Sequence, residues 1–344
     1  MPRELAAEEP GVAILRSYEE KPLEPGQVRV TTHYSSVKHG TEFRAFQANS
    51  ADATDRFDPE LRIHVRGEAQ LRFPKTLGNM FVGEVSEVGG DVDAFRVGDK
   101  VYGHGPVRQT HTVEAERLDP VPEGVGWEAI CYSDPAHPAL GGVRDSRVCV
   151  GDRVTVHGLG AIGQMAVQLC KLQGARLVVG VDPFEHRRNA AARHGADLVM
   201  DPTEVDVGYE VKMMTDKLGV DAAVEVSGSY RGLRDALRSV KYLGRISSIA
   251  YYKGQVDGLL SGEWHRNRIE VVSSRSDSEP NPDFGWDRGR IAEEATKLLL
   301  EGRLKADGLI DPVVPFSQTS EAYMHANEDP GSGIKLGVDH TVEW

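Results

Sequence analysis

Cysteine is scarce: Cys131, Cys149 and Cys170 are the only three among 344 residues, widely spaced and odd in number. That excludes a disulfide framework and a four-cysteine zinc site, and makes a reducing cytoplasm the default location. Long apolar runs are missing too. No stretch approaches the roughly 18 residues of a spanning helix. The start, MPRELAAEEPGVAILRSYEE, carries acidic residues where a signal peptide needs a positive start and then an apolar segment. Neither membrane insertion nor export is expected. No Lys/Arg run offsets the formal net charge of −13, which would repel a phosphate backbone, so nucleic acid is not an expected partner.

What is present describes a globular chain, 40% hydrophobic and 27% charged. Its length exceeds what one hydrophobic core usually supports, so two domains are expected. Up to about residue 130 the text reads as short β segments broken by Gly and Pro: Gln27 to His33, Phe81 to Val88, Lys100 to Gly103 and Thr110 to Val113. From about residue 150, apolar runs alternate with amphipathic stretches, the pattern of βα units on a parallel sheet. Strands are expected at Arg153 to Val156, Arg176 to Val181, Ala222 to Val226 and Arg245 to Ile249. Near Asp307 the chain returns to Pro-punctuated β text, GLIDPVVPFSQTSEAYMHA, and ends with Gly333 to Val338. The implied fold class is α/β: a β domain, residues 1–140 and 308–344, interrupted by a doubly wound parallel sheet at 141–307. The polar stretch Gln47 to Pro74 reads as a structureless insert, and one that long is usually functional or mobile. Its Arg56, Arg62, His64, Arg66 and Arg72 are candidates to contact a polyhydroxylated or anionic substrate.

A lone G-x-G-x-x-G says little, but Gly158-Leu159-Gly160-Ala161-Ile162-Gly163 follows a buried-type strand. It opens a helix whose Ile162, Ala166, Leu169 and Cys170 recur at helical spacing and which Gly174 closes. Gly158 permits the tight turn, Gly160 lets backbone approach a pyrophosphate, and Gly163 allows close helix–strand packing; the helix N-terminus supplies amide donors and positive potential. Asp182, 19 residues after Gly163, stands where the fingerprint needs its ribose-binding carboxylate. It would repel a 2′-phosphate, which favours NAD. Arg187 and Arg188 could serve a 2′-phosphate if Asp182 turned away, which leaves NADP as the second choice.

The chain resembles the medium-chain dehydrogenase/reductase superfamily, the alcohol and polyol dehydrogenase group. The resemblance covers nearly the whole chain. It rests on Ser35-Ser-Val-Lys-His-Gly-Thr-Glu42, Leu77-Gly-Asn-Met-Phe-Val-Gly-Glu-Val85, Phe95-Arg-Val-Gly-Asp-Lys-Val101, the glycine loop and Val226-Ser-Gly228. It implies a GroES-like catalytic domain around a Rossmann domain, an active site in the cleft between them, Ser227 among the cofactor-binding residues, a small alcohol or ketone substrate, and a homodimer or homotetramer.

The departures direct the chemistry. Zinc-dependent members carry Cys-Gly-Ser/Thr-Asp where this chain has His39-Gly40-Thr41-Glu42, and Gly-His-Glu where it has Gly78-Asn79-Met80. The structural-zinc lobe is also missing, since Val101 runs into His111 in about ten residues without a cysteine. Neither kind of zinc is therefore expected. Without a metal a positioned base must take the alcohol proton. His39 is the first candidate, since imidazole titrates in the useful range, and Lys38 is the alternative. Thr41 would relay the proton, and Glu42 would orient His39 or bind substrate hydroxyls. Asp134, by family analogy, is a site residue, although Ser133-Asp134-Pro135 is equally a helix start with Asp as N-cap. His137 lies one turn further along, and Asn79 and Met80 would line the vacated metal position. The expected activity is zinc-independent, NAD-dependent interconversion of a secondary alcohol of a sugar, polyol or cyclitol and its ketone. An NADPH-dependent quinone or enone reductase and a non-catalytic dinucleotide sensor are the alternatives.

Overall fold

The computed structural model describes residues 1–48, 54–67, 71–252, 256, 258–260, 262–275 and 285–342. The chain forms two compact units, Met1–Cys131 with Ile310–Trp344, and Tyr132–Leu309.

The first unit is built on a mixed sheet with strand order Asp119–Pro120, Lys100–His104, Met80–Val88, Gln27–Ser36, Gly337–Asp339, Val313–Pro315; Thr110–Glu114 also pairs with Gln27–Ser36. Strand Gln27–Ser36 alternates as a half-buried strand should, with Val28, Val30 and Thr32 inward. The alternation survives a register shift at Arg29/Val30 and breaks at the second one, Thr32/Tyr34. Beyond them Ser35 and Ser36 are both buried, so polar side chains enter the interior where the strand meets the 38–42 loop. A second, three-stranded sheet of Val12–Ser17, Arg3–Glu9 and Lys75–Thr76 was not legible in the sequence. Between them lies a core of Leu5, Val37, Phe46, Leu77, Val107, Tyr323, Leu336 and Val338. Val37, Phe46, Leu77 and Leu336 of this core lie on the segments that carry the candidate site, so burial of their side chains fixes its backbone.

The second unit holds six parallel strands in the order Leu198–Met200, Leu177–Val181, Arg153–His157, Val220–Glu225, Val240–Ser248, Glu270–Ser273. The order reverses between Arg153–His157 and Val220–Glu225, the switch point at which open α/β sheets bind ligands. The expected Rossmann strands and helix Ala161–Leu172 are all present, with Gly174 (φ 94°) just past that helix.

Four expectations are corrected. The insert is not structureless: Asp55–Asp58 and Ile63–Arg66 pair as an antiparallel hairpin, Phe57 packing edge-on against His64; residues 49–53 and 68–70 lie outside the described part. The text after Asp307 contains a helix, Thr319–Glu328, whose Thr319, Tyr323 and Ala326 recur at helical spacing and are buried. The chain divides at 131/132 and 309/310 instead of at 140 and 308, because helix Ser133–Asp145 belongs whole to the second unit; Tyr132 Oη donates to Leu309 O (2.7 Å), tying its ends together. That helix begins at Ser133 with Tyr132 at its N-cap, so Asp134 sits in the first turn and is not the cap.

Two buried histidines give the fold an acid limit. Burial holds both His157 and His340 neutral, with pKa values of about 3. A histidine depressed below its unfolded value near 6.5 binds its proton only on unfolding, so its contribution is intact above pH 6.5 and shrinks as pH falls toward 3. From pH 8 to pH 5 each should cost about 2 kcal/mol. Denaturant titrations of the wild type and His157→Asn at both pH values check this: the variant should lose that share of the pH dependence, and an unchanged difference would refute the assignment.

Candidate functional site

In the first unit the residues of interest converge from three segments. Strand Gln27–Ser36 runs into Val37 and Lys38, and helix Thr41–Phe46 follows from Gly40. The Leu77–Met80 segment lies alongside, where Asn79 N donates to Ser36 O (3.1 Å) and Gly105 N to Asn79 O (3.1 Å). Gly78 has φ 102°, and a Cβ there would meet Val107 N at 2.6 Å, so only glycine fits. The third segment is the approach to the C-terminal strand: Lys335, itself buried, donates from Nζ to Val37 O (2.8 Å), and Leu336 N donates to His39 Nε2 (3.1 Å).

That last bond constrains His39. With Nε2 accepting from a backbone amide, the neutral ring carries its proton on Nδ1, and protonating Nε2 would set two N–H groups against each other. The ring also stacks on Phe43 (centroids 4.8 Å apart, 26°). His39 thus anchors the loop to the C-terminal strand. Lys38 beside it is half-buried, and the Thr41 side chain lies outside the described part of the structure.

Glu42 is half-buried as a residue, but its carboxylate points inward: Gly78 N donates to Oε2 (2.8 Å), and Oε1 is out of solvent without a hydrogen-bond partner. Desolvation raises its pKa to about 6, against the opposing pull of the Gly78 amide, the Tyr323 hydroxyl, Lys75 and Lys335. Tyr323 faces the same carboxylate, yet neither Tyr323 Oη nor Glu42 Oε1 completes a hydrogen bond of ordinary geometry. Burial pushes the phenol pKa up. Ser36 Oγ and both amide atoms of Asn79 are likewise buried and unpartnered. Each such atom costs about 1–3 kcal/mol when left unsatisfied, so their concentration in adjoining residues points to a ligand that satisfies them. Met80, next to Asn79, is fully buried. Among the described residues no three His, Cys, Asp or Glu side chains come together as a metal site would need.

The second unit gathers the dinucleotide-binding candidates. Gly158 (φ 91°) lies so close to Ser227 that a Cβ would stand 2.7 Å from its Cα, and a Cβ on Gly163 would stand 1.9 Å from Gly158 O. At Gly160 the nearest atom to such a Cβ is a side-chain nitrogen of Arg187 at 4.0 Å, so the loop is open there. Gly160 caps helix Ala161–Leu172, and Ala161 and Ile162 begin its first turn. Asp182 accepts from Leu159 N (2.8 Å, Oδ2) and from Phe184 N (2.9 Å, Oδ1), which holds its buried carboxylate against the glycine loop. Arg188 is engaged with Asp201 (2.9 Å) and Asp182 O (2.7 Å), while Arg187 lies over the Phe184 ring, 4.9 Å from its centroid. Asp134 and His137 occupy the first two turns of helix Ser133–Asp145, both half-buried.

Several site residues escaped the sequence reading. Gln164, fully buried, donates to Leu159 O (2.8 Å) and Arg187 O (2.9 Å), fastening the loop to the segment after Asp182. Buried Glu225 accepts from Ser227 N (2.8 Å), Ser227 Oγ and Tyr252 Oη, and burial raises its pKa. Ser36 and Tyr323 complete the set. No motif marks them, since their roles come from burial and from the tertiary contacts of their side chains.

Comparison with known proteins fits both units. The model of the alcohol dehydrogenase GroES-like domain matches residues 24–127, and that of the zinc-binding dehydrogenase family residues 161–284. D-guloside 3-dehydrogenase of Escherichia coli strain K12 is 43% identical over 348 residues, covering 98% of this chain and 99% of that protein. Of solved structures, 2R,3R-butanediol dehydrogenase from Bacillus subtilis aligns with a TM-score of 0.75 at 22% identity, and galactitol-1-phosphate dehydrogenase from Escherichia coli with 0.73 at 18%. Each covers 98% of this chain and 99% of the other, and at such identities they speak for the fold. With both domain families matched in order and a relative aligned from end to end, the chain belongs to the medium-chain dehydrogenase/reductase superfamily of oxidoreductases.

Proposed function

We propose that this protein is a zinc-independent, NAD-dependent dehydrogenase that interconverts a secondary alcohol of a sugar or polyol and its ketone. The observation that carries the reading is the set of bare, buried polar atoms on Ser36, Glu42 and Asn79. Hydroxyl groups are the ligands that satisfy such a set, because each can donate to a carboxylate and accept from an amide at once. A ring hydroxyl of a glycoside fits this chemistry, and the 43% identical relative is named for acting at carbon 3 of a D-guloside.

The residues do not suit zinc. An amide and a thioether replace an imidazole and a carboxylate, and the His39 Nε2 that could bind metal is occupied by the Leu336 amide. They do suit a dinucleotide. The open backbone at Gly160 and the amides of helix Ala161–Leu172 would hold the pyrophosphate. Asp182 would hold the adenosine ribose, since each of its oxygens retains a second acceptor site beyond the amide it already binds. NAD is favoured over NADP because Asp182 is fixed in place and Arg188 is engaged with Asp201. When bound, the nicotinamide supplies the hydride acceptor.

Two outcomes test this. Gly160→Ala should leave the melting temperature near that of the wild type and weaken NADH binding about tenfold or more, roughly 1.4 kcal/mol; Gly163→Ala should destabilise the fold by about 2 kcal/mol or more, because its new methyl meets backbone. NADH fluorescence titration and thermal melts distinguish them. In a screen of sugars and polyols, NAD⁺ reduction should exceed NADP⁺ reduction and survive a strong zinc chelator. Loss of activity on chelation, restored by zinc, would overturn the metal-free reading.

A further inference from the structure

Resting on that dehydrogenase reading, the geometry points to Glu42, and not His39, as the residue that takes the alcohol proton. We propose that Glu42 Oε1, out of solvent and without a hydrogen bond of ordinary geometry even from the Tyr323 hydroxyl that faces it, accepts the substrate hydroxyl hydrogen as the adjacent carbon loses its hydride. His39 cannot serve while Leu336 N–H holds its Nε2, since its remaining nitrogen is then the one that bears a hydrogen.

The step balances without a further reagent. The substrate O–H bond breaks with its proton going to Oε1, and its electron pair forms the second C–O bond. The C–H pair leaves as hydride to NAD⁺, and Glu42 ends as a neutral carboxylic acid. A buried carboxylate is suited to this, because protonation relieves the cost of keeping its charge out of water. Its pKa of about 6 is close enough to neutrality for the group to be ionised at rest and still a useful base. Gly78 N–H keeps Oε2 in place, so the free oxygen presents a fixed direction. Asn79, one residue on from that amide, has a donor and an acceptor to engage a neighbouring hydroxyl. The charged and titratable groups facing Glu42 are Tyr323 from helix Thr319–Glu328, Lys75, and Lys335 ahead of the C-terminal strand; Lys38, His39 and Arg44 lie on its own segment.

The test is the pH profile of kcat/KM for alcohol oxidation with NAD⁺, with NADH binding measured alongside. The wild type should lose activity tenfold per pH unit below about 6, the Glu42 value. Glu42→Gln should bind NADH normally, lose about 10²–10⁴-fold in kcat and show no such limb. Tyr323→Phe should move the limb to higher pH, because the hydroxyl draws the carboxyl pKa down; this variant decides the matter if Glu42→Gln does not fold. A limb that persists in Glu42→Gln with kcat within tenfold of wild type overturns the proposal. So does a limb unmoved in Tyr323→Phe, or one erased by His39→Asn and kept in Glu42→Gln. A wild type that binds NADH yet oxidises no sugar or polyol overturns the dehydrogenase reading itself, and this proposal with it.

Discussion

Gly78 is the point on which the first unit turns. The chain passes there against Val107 with no room for a side chain, and flanking main-chain bonds hold the crossing: Leu77 N to Leu5 O (3.0 Å), Val107 N to Leu77 O (2.8 Å) and Asn79 N to Ser36 O (3.1 Å). Such a junction cannot drift, because each bond would have to break inside a core from which water is excluded. One amide at the crossing, that of Gly78, is turned toward Glu42 instead of another strand. The carboxylate is thereby drawn inward, where burial makes it a weaker acid.

The molecule buries a second carboxylate at Glu225, and the contrast is informative. Both groups are desolvated and both are raised in pKa. Glu225 has each oxygen satisfied, one by the Ser227 amide and hydroxyl and the other by Tyr252, which suits a structural brace beneath the glycine loop. Glu42 has one oxygen satisfied and one bare. Full satisfaction rigidifies a site, whereas a buried unsatisfied acceptor persists when something outside the protein completes it.

Much of this was legible in the sequence. The strand–loop–helix at Gly158–Gly163 is legible because part of its demand is local: a Cβ on Gly163 would meet Gly158 O within the same turn, although Gly158 itself is confined by Ser227 from further along the chain. The parallel strands read correctly because buried β runs are continuous in apolar residues. Helix Thr319–Glu328 is hidden within β-like text because its buried face is spaced among polar residues and its neighbours are rich in proline. The roles of residues 38–42 were not legible in the same way. Whether His39 or Glu42 offers a free acceptor depends on the Leu336 and Gly78 amides, both far off along the chain.

By itself, then, the sequence determined the class of the protein, since the motifs that carry it are residue identities at short spacing. The tertiary structure alone decided that Glu42 is left with an open acceptor in a dry environment. The pKa and hydrogen-bonding state of a group belong to its surroundings, and those are assembled from segments some three hundred residues apart, as the 297-residue separation of His39 and Leu336 illustrates.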